Sequence, residues 1–120
     1  MKRDMDLVRK LVLLAEDCPS GQVPNNSNIE SYTIEQIQYH NYLLVDSGLA
    51  KGIDVTSNCD DLPQWLVLHL TSAGHDFADA ARNDSIWNKA KSLVVEKAGA
   101  VSIEVMKGLL VDLAKNALQI

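Results

Sequence analysis

From Ser102 almost to Ile120 the chain reads as a helix that is apolar on nearly every side. Ile103, Val105, Met106, Leu109, Leu110, Val111, Leu113, Ala114, Ala117 and Leu118 leave only a narrow polar stripe of Glu104, Lys107, Asp112, Lys115 and Gln119. One core contact needs an apolar stripe of about 100°. A helix this wide must be buried in its own chain's core or against another chain, so Leu110 and Leu113 are candidate contacts for a protein partner, a second copy of this chain included. Alternatively, the first helix and the helix around Trp87 enclose it within one chain.

The preceding segments alternate clear helical patterns with one hairpin pattern. Asp4 to Asp17 places Met5, Val8, Leu11, Val12 and Ala15 on one stripe, widened by Leu7 and Leu14, and Cys18-Pro19-Ser20-Gly21 ends it. Pro24 to Asn28 is turn chemistry, which leaves Ile29 to Tyr32 for one short edge strand. Thr33 and Gln36 have capping-box spacing and Gly48 supplies a stop, predicting a helix over Ile34 to Ser47. Ile53 to Val55 and Trp65 to Leu70 read as a hairpin with a long polar tip. Thr71 caps a helix that stops near Asn83, Asp84 caps one from Ser85 to about Ala98, and Ser102 opens the last. The expected fold class is mainly α with a small β-hairpin, α+β. At 120 residues it forms one domain, with a first part over 1–82 and a C-terminal helical extension over 83–120.

Composition narrows the function classes. Apolar residues at 47% and charged residues at 22% match a folded globular domain rather than a disordered chain. The longest apolar runs fall far short of the roughly 18 residues that span a bilayer, and Asp4 and Asp6 interrupt any signal-peptide start, so cytoplasmic residence is expected and no membrane association. Two cysteines, Cys18 and Cys59, are expected to stay reduced there.

The order of helix, short strand, helix ending in Leu44-x-x-x-Gly48-Leu49, hairpin, then Leu70-Thr71-x-x-Gly74-His75 resembles the winged-helix domains of small bacterial regulators. A closer likeness covers essentially the whole chain. The opening Met1 to Arg9, Tyr39-His40, Asp46-Ser47-Gly48-Leu49, Leu70-Thr71-x-x-Gly74-His75-Asp76-Phe77 and Asp84-Ser85-x-Trp87-Asn88-Lys89 resemble the bacterial and phage family called domain of unknown function 2513. That resemblance implies a winged-helix-like first half, a frequent prophage origin and no assigned activity. Two departures stand out: residues 18–32 are too rich in Pro, Gly, Asn and Ser to supply the helix that precedes a recognition helix, and Asn41-Tyr42 replaces the Leu and Lys that members tend to carry.

DNA binding needs cations at the phosphates. From Glu30 to Leu70, recognition helix and wing together, the one cation is Lys51, against Glu30, Glu35, Asp46, Asp54, Asp60 and Asp61. Gln36, Gln38 and Asn41 are of the right type to meet base edges, but without phosphate contacts a protein-binding surface is favoured over nucleic acid. His40, His69, His75, Cys18 and Cys59 lack metal-ligand spacing, although His75 and Asp79 lie one turn apart. His40 reads as a packed, hydrogen-bonded histidine and Trp87 as core. No catalytic residue, cofactor or metal is expected, and the functional expectation is a non-enzymatic protein-interaction module with a DNA-binding regulator as the alternative. Because a structural zinc contributes on the order of 10 kcal/mol to folding, EDTA is expected to leave the melting temperature unchanged. A large fall in a calorimetric scan would reveal a metal site.

Overall fold

A computed structural model describes residues 1–19, 29–97 and 102–118. The elements are α1 (Met5–Asp17), α2 (Ile34–Asp46), β1 (Ala50–Asp54), β2 (Trp65–Leu70), α3 (Ser72–Ala81), α4 (Asp84–Lys97) and α5 (Ile103–Leu118). The fold is mainly α with one two-stranded antiparallel sheet, as the patterning implies. The chain forms two compact units, Met1–His75 and Asp76–Ile120, divided inside α3. The sequence pattern alone sets that division after Arg82.

In the first unit α1 packs on α2 and β2, and α2 packs on both strands. Leu7, Val8, Leu11, Val12 and Ala15 bury one side of α1, while Ile37, Leu43 and Leu44 bury one side of α2. Each helix starts where its cap is satisfied. The Asp4 carboxylate accepts from the Asp6 and Leu7 backbone N–H groups, and Thr33 and Gln36 form the reciprocal capping box. Helix α2 ends on Ser47, and Gly48 takes the left-handed conformation, φ 81°, that glycine adopts without Cβ strain.

The expected edge strand at Ile29 to Tyr32 is not formed. Ser31 has φ 75°, and the Tyr32 N–H closes a turn onto the Ile29 carbonyl at 3.2 Å, so these residues cannot extend along a sheet. The adjoining segment 20–28, which carries most of the Pro, Gly and Asn residues noted above, lies outside the described residues. Strand β1 begins at Ala50, earlier than the alternation around Ile53 suggests. Its ladder with β2 runs Ala50 to Leu70 and Lys51 to His69, then slips so that Gly52 pairs with Val67, Ile53 with Leu66 and Asp54 with Trp65.

The turn from α2 into β1 locks onto the start of α3. Thr71 donates through its backbone N–H to the Leu49 carbonyl at 3.0 Å, and its hydroxyl donates to the Gly48 carbonyl. The same hydroxyl accepts from the Gly74 N–H at 3.1 Å, capping α3. A Cβ on Gly74 would overlap the Leu49 carbonyl, so the close approach itself requires glycine.

In the second unit α4 packs on α5. Trp87, 1% exposed, meets Phe77 edge to face at 6.1 Å, and Ala78, Ala80, Ala81 and Ala90 are buried beside them in the sequence. Asn83, one residue earlier than expected, caps α4 through Oδ1 to the Ile86 N–H at 3.0 Å. Ser102 caps α5. On α5 the fully buried stripe is Ile103, Met106 and Leu110, whereas Leu113 is half-buried and Val105 is exposed. Two glycine substitutions should separate packing from propensity in urea unfolding. Gly74→Ala is expected to cost about 1–3 kcal/mol through overpacking. Gly108→Ala, where nothing stands within 4 Å of the new carbon on α5, should instead gain up to about 1 kcal/mol.

Candidate functional site

Helix α2 presents Glu35, Gln38, Tyr39 and Tyr42 at the i, i+3, i+4, i+7 spacing that puts side chains on one face. These residues form one wall of an open cleft of about 420 Å³. Asp54 from β1 and Leu62, Pro63 and Trp65 from the returning hairpin form the other, and Met1 adds an apolar edge. The rings are contiguous: Tyr39 lies 6.0 Å from Tyr42 and Tyr42 lies 5.3 Å from Trp65, centroid to centroid.

Trp65 is held by both of its backbone groups. Its N–H donates to Gln38 Oε1 at 2.7 Å, and its carbonyl accepts from Asn41 Nδ2 at 3.3 Å. The position of the indole is therefore a property of α2 as much as of β2. Opposite Trp65 in the ladder, Asp54 Oδ1 accepts from the Thr56 N–H at 2.9 Å. Hydrogen bonds from the Thr56 side chain and backbone hold the Asp54 carboxyl below its ordinary range, so this rim of the cleft stays anionic through mild acid.

A second polar centre joins the chain start to α2. His40, 1% exposed, accepts the Asp4 backbone N–H at Nε2 (2.8 Å) and has Nδ1 2.8 Å from the Gln36 carbonyl. Together these contacts require the neutral ring with its proton on Nδ1. The Tyr32 hydroxyl donates to Asp4 Oδ2 at 3.1 Å, and burial, that hydrogen bond and the Asp4 and Asp6 charges push the phenol up to about 12. Lys10 Nζ stands 5.3 Å from the same ring. With both ring nitrogens engaged by backbone groups, His40 acts as a clamp between two segments.

The family described as "Hypothetical protein (DUF2513)" matches residues 2–100. The chain belongs to that family. An uncharacterised protein of Haemophilus influenzae is 30% identical over 110 residues, which cover 89% of this chain and 90% of that protein. No solved structure matches the chain. The stretches that carry the DUF2513 likeness are, in this chain, joints of the fold: Asp4 and His40 meet at the α1 cap, Gly48-Leu49 meets Thr71 and Gly74, and Trp87 is core.

The polar residues singled out on α2 have separate fates. Gln36 closes the capping box, its Oε1 accepting from the Thr33 N–H at 2.9 Å, while Gln38 and Asn41 converge on Trp65. Asn41 is buried, so it offers nothing to a partner's surface. Leu110 and Leu113 lie on α5 in the second unit, whereas every residue lining the cleft belongs to the first. His75 stands 3.5 Å from Glu16, and among the described residues no three His, Cys, Asp or Glu side chains gather as a metal would need. Sequence reasoning missed Glu35, Tyr39, Tyr42, Asp54 and Trp65 as a group, although the helical half of the set was readable from its spacing.

Burial is the main cause that pushes the His40 imidazole below its ordinary value of 6.5, against the opposing Gln36 carbonyl and Asp4 charge. The folded state thus favours the neutral ring. Its contribution to stability is complete above about pH 6.5 and is lost as pH falls through the lower folded-state value. Urea midpoints measured from about pH 7.5 down to about pH 5 should fall for this reason. In His40→Gln, which keeps an acceptor but cannot titrate, that part of the slope should flatten. An equally steep slope in the variant would place the titration elsewhere.

Proposed function

We propose that this protein is a non-enzymatic interaction module, winged-helix-like in build, that docks a protein partner in the aromatic cleft between α2 and the hairpin. One observation carries the reading: three contiguous rings line an open cleft with carboxylates on both walls, Glu35 on α2 and Asp54 on β1. Aromatic side chains with apolar faces and polar rims are the usual anchors of protein interfaces. The order of α2, hairpin and α3 supports the likeness to a winged helix. A cytoplasmic placement is supported by Cys18 and Cys59 standing as thiols rather than as a disulfide, which suits a reducing compartment.

The same geometry weighs against DNA as the ligand. Of the α2 side chains suited to base edges, Gln36 caps its own helix, Gln38 holds Trp65, and Asn41 is buried. Among the described residues no lysine or arginine side chain lines the cleft, and phosphate would meet Glu35 and Asp54. Two measurements test the reading. In selection from a random duplex library at about 50 and about 200 mM salt, no sequence should be enriched; enrichment with a steep loss of affinity in salt would turn the assignment to a DNA-binding regulator. Capture from nuclease-treated host extract should yield a protein that is lost with Tyr42→Ala, and equal capture by the variant would remove the cleft from the interaction.

A further inference from the structure

We propose that the group the cleft receives is the guanidinium of an arginine side chain presented by the partner protein. This deepens the reading of the cleft as a docking site and rests on it. Three features of the cleft point to a cation. The faces of Tyr39, Tyr42 and Trp65 are regions of negative potential, to which a cation within about 6 Å of a ring centroid is attracted. The two walls each contribute one carboxylate, Glu35 from the helix and Asp54 from the strand, so a positive charge between them is drawn from both sides. Among the described residues no lysine or arginine side chain lines the cleft, and across positions 30–70 the one cation is Lys51.

A purely apolar occupant fits these walls poorly. Covering the cleft with leucine-like surface would strip water from Glu35 and Asp54 and return no partner for either charge. Arginine suits the site better than lysine. Its planar, weakly hydrated guanidinium stacks on an aromatic face and still directs N–H groups sideways to carboxylates, whereas an ammonium is a strongly hydrated point charge. A cleft of about 420 Å³ is the size of a small-molecule site, which suits one long side chain and its flanking backbone rather than a whole helix.

The full chain is titrated with N-acetyl-arginine amide, with the neutral, nearly isosteric N-acetyl-citrulline amide, and with N-acetyl-leucine amide. The signal is the Trp65 indole N–H resonance, assigned by its loss in Trp65→Phe; buried Trp87 is the internal reference. Arginine amide should move the Trp65 signal with an affinity about tenfold better than citrulline amide and better than leucine amide. Glu35→Gln and Asp54→Asn, both at exposed positions, should each weaken arginine about threefold and leave citrulline unchanged. Added salt should do the same. Citrulline binding as well as arginine, indifference to both carboxylate substitutions, or a still Trp65 signal at roughly tens of millimolar arginine amide overturns the proposal. Preference for leucine amide at Trp65 also overturns it, while leaving the cleft a docking site; equal capture of host protein by Tyr42→Ala is the separate result that removes the docking site itself.

Discussion

Two adjacent polar side chains, His40 and Asn41, sit on the buried side of α2, and each must find a hydrogen-bond partner there. Both are 1% exposed, and a buried polar group left unsatisfied costs about 1–3 kcal/mol. The two obligations are met in different directions. His40 accepts the backbone N–H of Asp4 at the head of α1, and Asn41 donates to the carbonyl of Trp65 at the head of β2. A packing of apolar surfaces alone would tolerate sliding of these three elements past one another. The pair of bonds permits one arrangement, and the cleft wall follows because Trp65 is among the groups so tied.

The turn at Gly48-Leu49 and the segment Leu70 to Gly74 are those that carry the resemblance to a winged helix when read as text. In space they account for one another. Leu49 offers its carbonyl to the Thr71 N–H, Thr71 caps α3, and Gly74 leaves room for that carbonyl to approach. The chemistry of those residues is thus spent on joining the sheet to α3. What the first unit leaves facing outward on α2 is the other face, with its acid and its two tyrosines.

Much of the architecture is legible in the sequence because helices advertise themselves through caps and periodicity. Thr33 with Gln36, Thr71, and the stripe from Leu7 to Ala15 act as their patterns imply, although Met5 is half-buried and Leu14 is exposed. Short segments are less legible. The Ile29 to Tyr32 stretch has strand composition but only four residues, and the positive φ of Ser31 turns it. Gly52 interrupts the alternation that would have announced β1 from Ala50. On α5 the breadth of apolar residues hides which line is inner, and it is Ile103, Met106 and Leu110 that are fully buried. The cleft was the least visible feature, because Gln38 and Asn41 look like solvent-facing amides until the strand that engages them is placed 27 and 24 residues further along the chain.

The slip in the ladder between Lys51 and Gly52 makes the cleft a matter of parity. Strand side chains alternate between faces, so Leu70 toward the core would ordinarily carry residues 68 and 66 with it and send Val67 and Trp65 to the far side. Leu68, which has no opposite number on β1, is the extra residue that resets the count. Leu70 and Val67 are then both buried, His69 is exposed, and Trp65 comes round to meet Tyr42. Were Leu68 held in a regular ladder instead of bulging, no side chain would change in identity and the indole would still turn away from α2, so in this protein the binding face is encoded by an odd or even count as much as by the aromatic residues themselves.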